Sequence, residues 1–134
     1  MNALTGDGAV SRRALWFGLL GGALAWTAHL MFAYAIAEFG CVGGWGHGGY
    51  LDISLVAWLE VLLTVVTAAV AAAATFVAYR CYLSSATAPL DSAASGSARD
   101  TDRYTAYVGL LSGSLFFFVI LFESIPIFFY LRHC

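Results

Sequence analysis

Three ionisable side chains interrupt long apolar stretches of this 134-residue chain: His29 in LLGGALAWTAHLMFAYAIA, Glu60 in LVAWLEVLLTVV and Glu123 in FFFVILFESIPIFF. Imidazole and carboxyl groups hold or release a proton according to their neighbours, so this trio has the chemistry of a proton-handling or quinone-adjacent site. A second set joins thiols to imidazoles: Cys41, His47, His133 and Cys134. Such groups bind copper or zinc, and the two cysteines can instead pair as a disulfide. The spacing Cys41-x5-His47 and the adjacent His133-Cys134 do not match a closed zinc site.

Both sets must be positioned by the segments around them. The chain is 61% apolar and 10% charged, with a mean hydropathy of +0.82. A soluble domain carries about 25% charged residues, so this is membrane-protein composition. Net charge is −2, with arginine as the only strong base, which gives no basic footprint for nucleic acid. Three apolar runs, at about 14–39, 53–83 and 105–131, reach the roughly 20 residues a spanning helix needs. They lack the alternation of a membrane barrel, and only helices or closed barrels satisfy every backbone group in lipid. The expected fold is all-α: a single integral membrane domain over 1–134, built as a three-helix bundle. The segment 84–104, rich in Ser, Ala, Asp and Gly, reads as a flexible connector.

Arginine placement orients the spans. Arg12, Arg13, Arg80, Arg99 and Arg103 fall on one side and Arg132 on the other. The positive-inside rule then puts the N-terminus and the connector in the cytoplasm and the C-terminus outside, as a multi-pass protein of the inner (cytoplasmic) membrane. A cleaved signal peptide ending at Ala35-Ile36-Ala37 is the rival reading, but the first apolar run is longer than the usual 7–15 residues of such a segment.

Small and polar residues recur at spacings of three and four along each span. The first has Gly18, Gly22, Ala25, His29 and Ala33; the second has Ala57, Glu60, Thr64, Thr67, Ala71, Ala74 and Ala78; the third has Gly109 and Gly113. Each set shares one helix face, and Gly18/Gly22 and Gly109/Gly113 are GxxxG pairs that permit close helix packing. At 1.5 Å per residue, His29, Glu60 and Glu123 all lie roughly 12–15 Å below the outer surface. They are therefore expected to form one intramembrane polar layer. A charge at that depth costs at least about 2.5–3.5 kcal/mol, so such groups are paired or functional. The pairing reading is a His–Glu contact that pins helix register. Just beyond the layer, Pro126 is expected to kink the third helix and free the carbonyl of Phe122. Haem ligation would need a second imidazole from another copy, since His29 is the only histidine within a span.

On this topology Cys41 and Cys134 share the oxidising side, where disulfides persist. Their bridge would close a loop of about 93 residues, nominally about 4–5 kcal/mol in the chain-entropy picture before bilayer anchoring reduces it. The disulfide is preferred to copper or zinc bound by Cys41, His47, His133 and Cys134. A thiol-oxidase role would need two cysteine pairs to relay electrons, and only one is present. Cys81, at the cytoplasmic end of the second span, reads as a free, inert thiol. The glycine-rich segment 40–52 lacks the Lys or Ser/Thr of a phosphate cradle. Its Trp45 and Tyr50 read as interface anchors.

The run GLLGGALAWTAHLMFAYAIAEFGC, with its AW-x-x-H, Tyr and Cys, resembles the first span of small three-span prokaryotic membrane proteins encoded beside haem-copper cytochrome oxidase subunits. The ending LFESIPIFFYLRHC resembles their third span: a polar residue, a following Pro and a late Cys. On these motifs His29, Cys41, Pro126 and Cys134 fall at recurring positions of that group, whereas Glu123 stands where Gln is more usual. The resemblance implies a respiratory-chain context and a non-catalytic accessory subunit or assembly factor of a terminal oxidase. Its partners would be lipid and other membrane subunits, with self-association as a further assembly mode and no resident cofactor. A proton-handling protein associated with quinone or haem, and an outer-face copper-handling protein, are the alternatives.

Overall fold

Leu, Ala, Val and Phe dominate the three long apolar runs, and in a medium without water their backbone groups can be satisfied only within each segment, as helix. The computed structural model describes residues 5–6, 9–44, 49–50, 53–87 and 93–131. Its helices are α1 (Arg12–Ala37), α2 (Leu55–Thr87) and α3 (Ala93–Leu131), all long and apolar enough to cross a membrane. The protein is an all-α three-helix bundle. Two antiparallel pairs of two-residue strands flank it: β1 (Thr5–Gly6) with β2 (Ala9–Val10), and β3 (Gly49–Tyr50) with β4 (Ile53–Ser54).

Helix α1 opens with Leu15 N–H donating to the Ser11 carbonyl at 3.1 Å. At its other end it widens into a π-helical turn, Glu38–Val42. The wider turn lays the Gly40 backbone against Val56, so closely that a Cβ there would stand 2.7 Å from Val56 Cγ2. Helix α2 is capped by Ser54, whose Oγ accepts the Ala57 N–H at 3.2 Å. The same hydroxyl donates to the Leu131 carbonyl at 2.6 Å, tying the start of α2 to the end of α3. Pro126 lies inside α3, which stays helical to Leu131. Proline lacks the N–H that would bond the Phe122 carbonyl.

The segment read as a flexible connector, 84–104, is mostly helical: α2 continues to Thr87 and α3 already begins at Ala93. Contacts between distant residues account for the difference. Arg99 Nε donates to the Ser85 carbonyl at 2.8 Å. Arg103 stacks 5.2 Å from the centre of the Tyr82 ring and reaches its hydroxyl at 3.3 Å. The polar first turns of α3 are held against the last turns of α2, although their composition alone resembles a linker.

The core is stacked in three tiers. Ala14, Leu15, Cys81 and Ala106 close one end. Ala25, Ala68, Ala71 and Ile120 fill the middle. Val56, Ala57 and Leu131 close the other, with Ile36, Cys41 and Phe128 packed around them. The end of α1, the start of α2 and the end of α3 thus lie together, so the helices alternate in direction. Most buried side chains in these tiers are alanine, so the helices approach closely. A Cβ on Gly22 would stand 2.9 Å from Gly113 Cα, and one on Gly109 would stand 2.9 Å from the Gly18 carbonyl oxygen. A Cβ on Gly113 would meet Thr75 Oγ1 at 2.6 Å, whereas Gly96 faces open space.

Backbone contact leaves no room for side-chain adjustment. Gly22→Val is expected to destabilise the bundle by about 1–3 kcal/mol through overpacking against the Gly113 backbone. Gly96→Ala is expected to stabilise it slightly, by up to about 1 kcal/mol, through helix propensity. Denaturant titration in detergent micelles, followed by circular dichroism, measures both; equal effects of the two substitutions would contradict this packing.

Candidate functional site

His29 lies between the middle tier and the tier containing Leu131. Its position follows from the small-residue stripe of α1, whose members Gly18, Gly22, Ala25, His29 and Ala33 are all buried. The stripe of α2 is buried likewise except at half-buried Thr64, with Ala57, Ala71 and Ala74 fully enclosed and Glu60 1% exposed. Two helices that pack through alanine and glycine bring any longer residue on those stripes into contact. His29, 0% exposed, meets Glu60, with Nε2 3.5 Å from Oε1.

Hydroxyls complete the surroundings. His29 Nδ1 is 3.2 Å from Thr67 Oγ1, and Nε2 is 3.3 Å from Ser124 Oγ. Thr64 Oγ1 lies 2.9 Å from Ser124 Oγ and 2.9 Å from the Glu60 carbonyl oxygen. The Glu60 carboxyl is different: both oxygens are buried and neither has a hydrogen-bond partner among the described residues. Among the described residues the ionisable group paired with it is His29, at 3.5 Å. Beside it, a groove of about 260 Å³ runs between α2 and α3, lined by Glu60, Thr64, Ser124, Ile125, Phe128 and Phe129, among others.

Glu123 does not join this group through a hydrogen bond. Half-buried, it accepts the Trp26 indole N–H at 3.0 Å. The reason is angular. Continuing the Gly109/Gly113 stripe of α3 at spacings of four and three leads through Phe117 and Ile120 to Ser124, which is buried. Glu123 stands one position to the side, as Trp26 does beside Ala25, and the two flanking residues meet where α1 borders α3. Trp26 also packs against Phe116, with ring centres 5.3 Å apart. Ser124 and Trp26 join the site although neither is ionisable in the physiological range. The same 3-4 spacing that selected His29 and Glu60 also selects Ser124.

Of the thiol–imidazole set, Cys41 lies in the π-helical turn and packs against the Leu131 tier. His47, His133 and Cys134 lie outside the described residues. Among the described residues no three His, Cys, Asp or Glu side chains gather closely enough to hold a metal ion. Axial ligation of haem by His29 would require its hydroxyl contacts to break, since each ring nitrogen already faces one. Cys81 is a free, buried thiol.

Comparison with protein-family models, with curated proteins and with solved structures finds no match. The reading of the site therefore rests on its geometry.

Removing one member of a buried pair leaves the other uncompensated, at about 3–5 kcal/mol. His29→Leu and Glu60→Leu are each expected to destabilise the bundle by that order. The double substitution is expected to cost less than the sum, because neither group is then stranded. A double-mutant cycle by denaturant titration in micelles measures the coupling; strict additivity would show that the two side chains do not act on each other.

Proposed function

We propose that this protein is a non-catalytic accessory subunit or assembly factor of a respiratory terminal oxidase in the cytoplasmic membrane. The observation that carries this reading is the division of its surface. The ionisable pair is sealed inside, while the outward faces are carbon: Phe32, Leu24, Phe122, Phe129 and Tyr130 are each at least 60% exposed. Between α1 and α2 a groove of about 630 Å³ is lined by small residues, Gly21, Ala25 and Ala28, and by large ones, including Trp16, Phe17 and Phe32. Small residues on a lipid-facing surface let a neighbouring helix approach closely. The likeness of the first and third spans to oxidase-associated three-span proteins names the partner class. The orientation follows from the arginines, with the N-terminus inside and the C-terminus outside.

A tagged full-length chain, extracted from its own membrane in mild detergent, is expected to bring haem-copper oxidase subunits with it, seen as haem absorption bands and by mass spectrometry. Ala28→Phe, which fills the groove, is expected to reduce that recovery several-fold. Recovery of the chain only as a free homo-oligomer would overturn the reading.

We further propose that Cys41 and Cys134 form a disulfide on the outer side. Leu131, three positions before Cys134, packs in the same tier as Cys41, which supports the pairing. Alkylation of the unfolded chain without reductant is expected to label Cys81 alone. Labelling of all three cysteines would exclude the bridge and return copper binding to consideration.

A further inference from the structure

The proton inventory around His29 fixes the state of the ring. A hydroxyl has one proton to donate and lone pairs to accept with. Ser124 Oγ lies 2.6 Å from the Ile120 carbonyl, and Thr67 Oγ1 lies 2.8 Å from the Leu63 carbonyl. These short contacts, each to the carbonyl four residues earlier, take the two protons. The longer contacts of the same oxygens, 3.3 Å to Nε2 and 3.2 Å to Nδ1, then turn lone pairs toward the imidazole. The proton of Thr64 has two acceptors at 2.9 Å, Ser124 Oγ and its own helix carbonyl, and neither choice supplies a donor to His29. A lone pair on a ring nitrogen would face a lone pair on oxygen at either position. Both nitrogens are satisfied only if both carry hydrogen.

We infer that His29 is an imidazolium and Glu60 its carboxylate counter-ion, an ion pair sealed within the bundle that constitutes an intramembrane site for one exchangeable proton. Glu60 faces His29 from α2 at 3.5 Å. From α3 the facing groups are Ser124 and, to the side, Glu123, which is engaged by Trp26. A neutral pair, with a protonated Glu60 turned toward a bare Nε2 at 3.5 Å, would leave that nitrogen's lone pair facing Ser124 Oγ at 3.3 Å, whose own proton is on the Ile120 carbonyl. The bound proton sits on Nε2. Its transfer to Glu60 Oε1, once the 3.5 Å gap closes, breaks the N–H bond, forms an O–H bond and leaves a neutral imidazole and a carboxylic acid. Net charge is unchanged, so the site can pass a proton between α1 and α2 without an uncompensated charge in the low-dielectric interior. This inference is independent of the oxidase partner, and its failure leaves that reading standing.

The test uses the full chain in lipid nanodiscs with ring-¹⁵N histidine, in a His47→Gln/His133→Gln background that leaves His29 as the only histidine. At a pH where free imidazole is neutral, both ring nitrogens are expected at protonated shifts, and Glu60→Gln is expected to convert one to the bare-nitrogen shift. A bare nitrogen in the parent protein would overturn the inference, as would an imidazolium that survives Glu60→Gln. If Glu60→Gln does not fold, infrared spectra of the ¹³C-glutamate protein decide. In a Glu38→Gln/Glu123→Gln background, which leaves Glu60 as the one labelled glutamate, carboxylate bands alone are expected, and a protonated acid carbonyl band would overturn the inference.

Discussion

Helices α1 and α3 touch at Gly22 and Gly113, where one backbone lies against the other with no side chain between. The contact of His29 on α1 with Ser124 on α3 depends on that approach. Across a Leu-lined interface of ordinary width, His29 could not come within 3.5 Å of one helix and 3.3 Å of another. Burial then acts on the result. With water excluded, every donor near the imidazole needs an acceptor and every charge a counter-charge, so Glu60, Thr67 and Ser124 are required companions of His29 rather than incidental neighbours.

The arrangement separates two kinds of surface. The inner stripes are alanine, glycine and a few polar groups; the outer faces are leucine, phenylalanine and tyrosine. In a soluble protein that order would be reversed. In a bilayer, lipid tails satisfy the outer faces, and association between helices comes from close packing and interhelical hydrogen bonds. The outer grooves continue the same small-residue theme at Gly21 and Ala28. The groove between α1 and α2 is thus built on the same plan as the surfaces that hold the bundle together.

Much of this was legible from residue spacing. The 3-4 runs on α1 and α2 identify the buried faces, and the helical rise puts His29, Glu60 and Glu123 at one depth without choosing which carboxyl meets the imidazole. Glu123 shows the limit of reading by residue type: its charge drew attention, while the stripe that begins at Gly109 leads to Ser124 beside it. One residue is about 100° of helix, enough to exchange a buried position for a flanking one. The segment 84–104 failed for a different reason. Its alanines, serines and aspartates are compatible with helix or linker, and the choice is made by Arg99 and Arg103 reaching Ser85 and Tyr82, contacts across a chain reversal that no local window contains.

The bond from Ser54 to the Leu131 carbonyl has a consequence in time. It joins residues 77 positions apart. Ribosomes add about 5–20 residues per second, so the acceptor is made roughly 4–15 s after the donor. During that interval the first turn of α2 has its cap but not its clasp, and the hairpin of α1 and α2 waits in the membrane with the α3-facing side of its polar stripe uncovered. Whatever shelters that side, whether the insertion machinery or a neighbouring chain, does so until α3 arrives to close it.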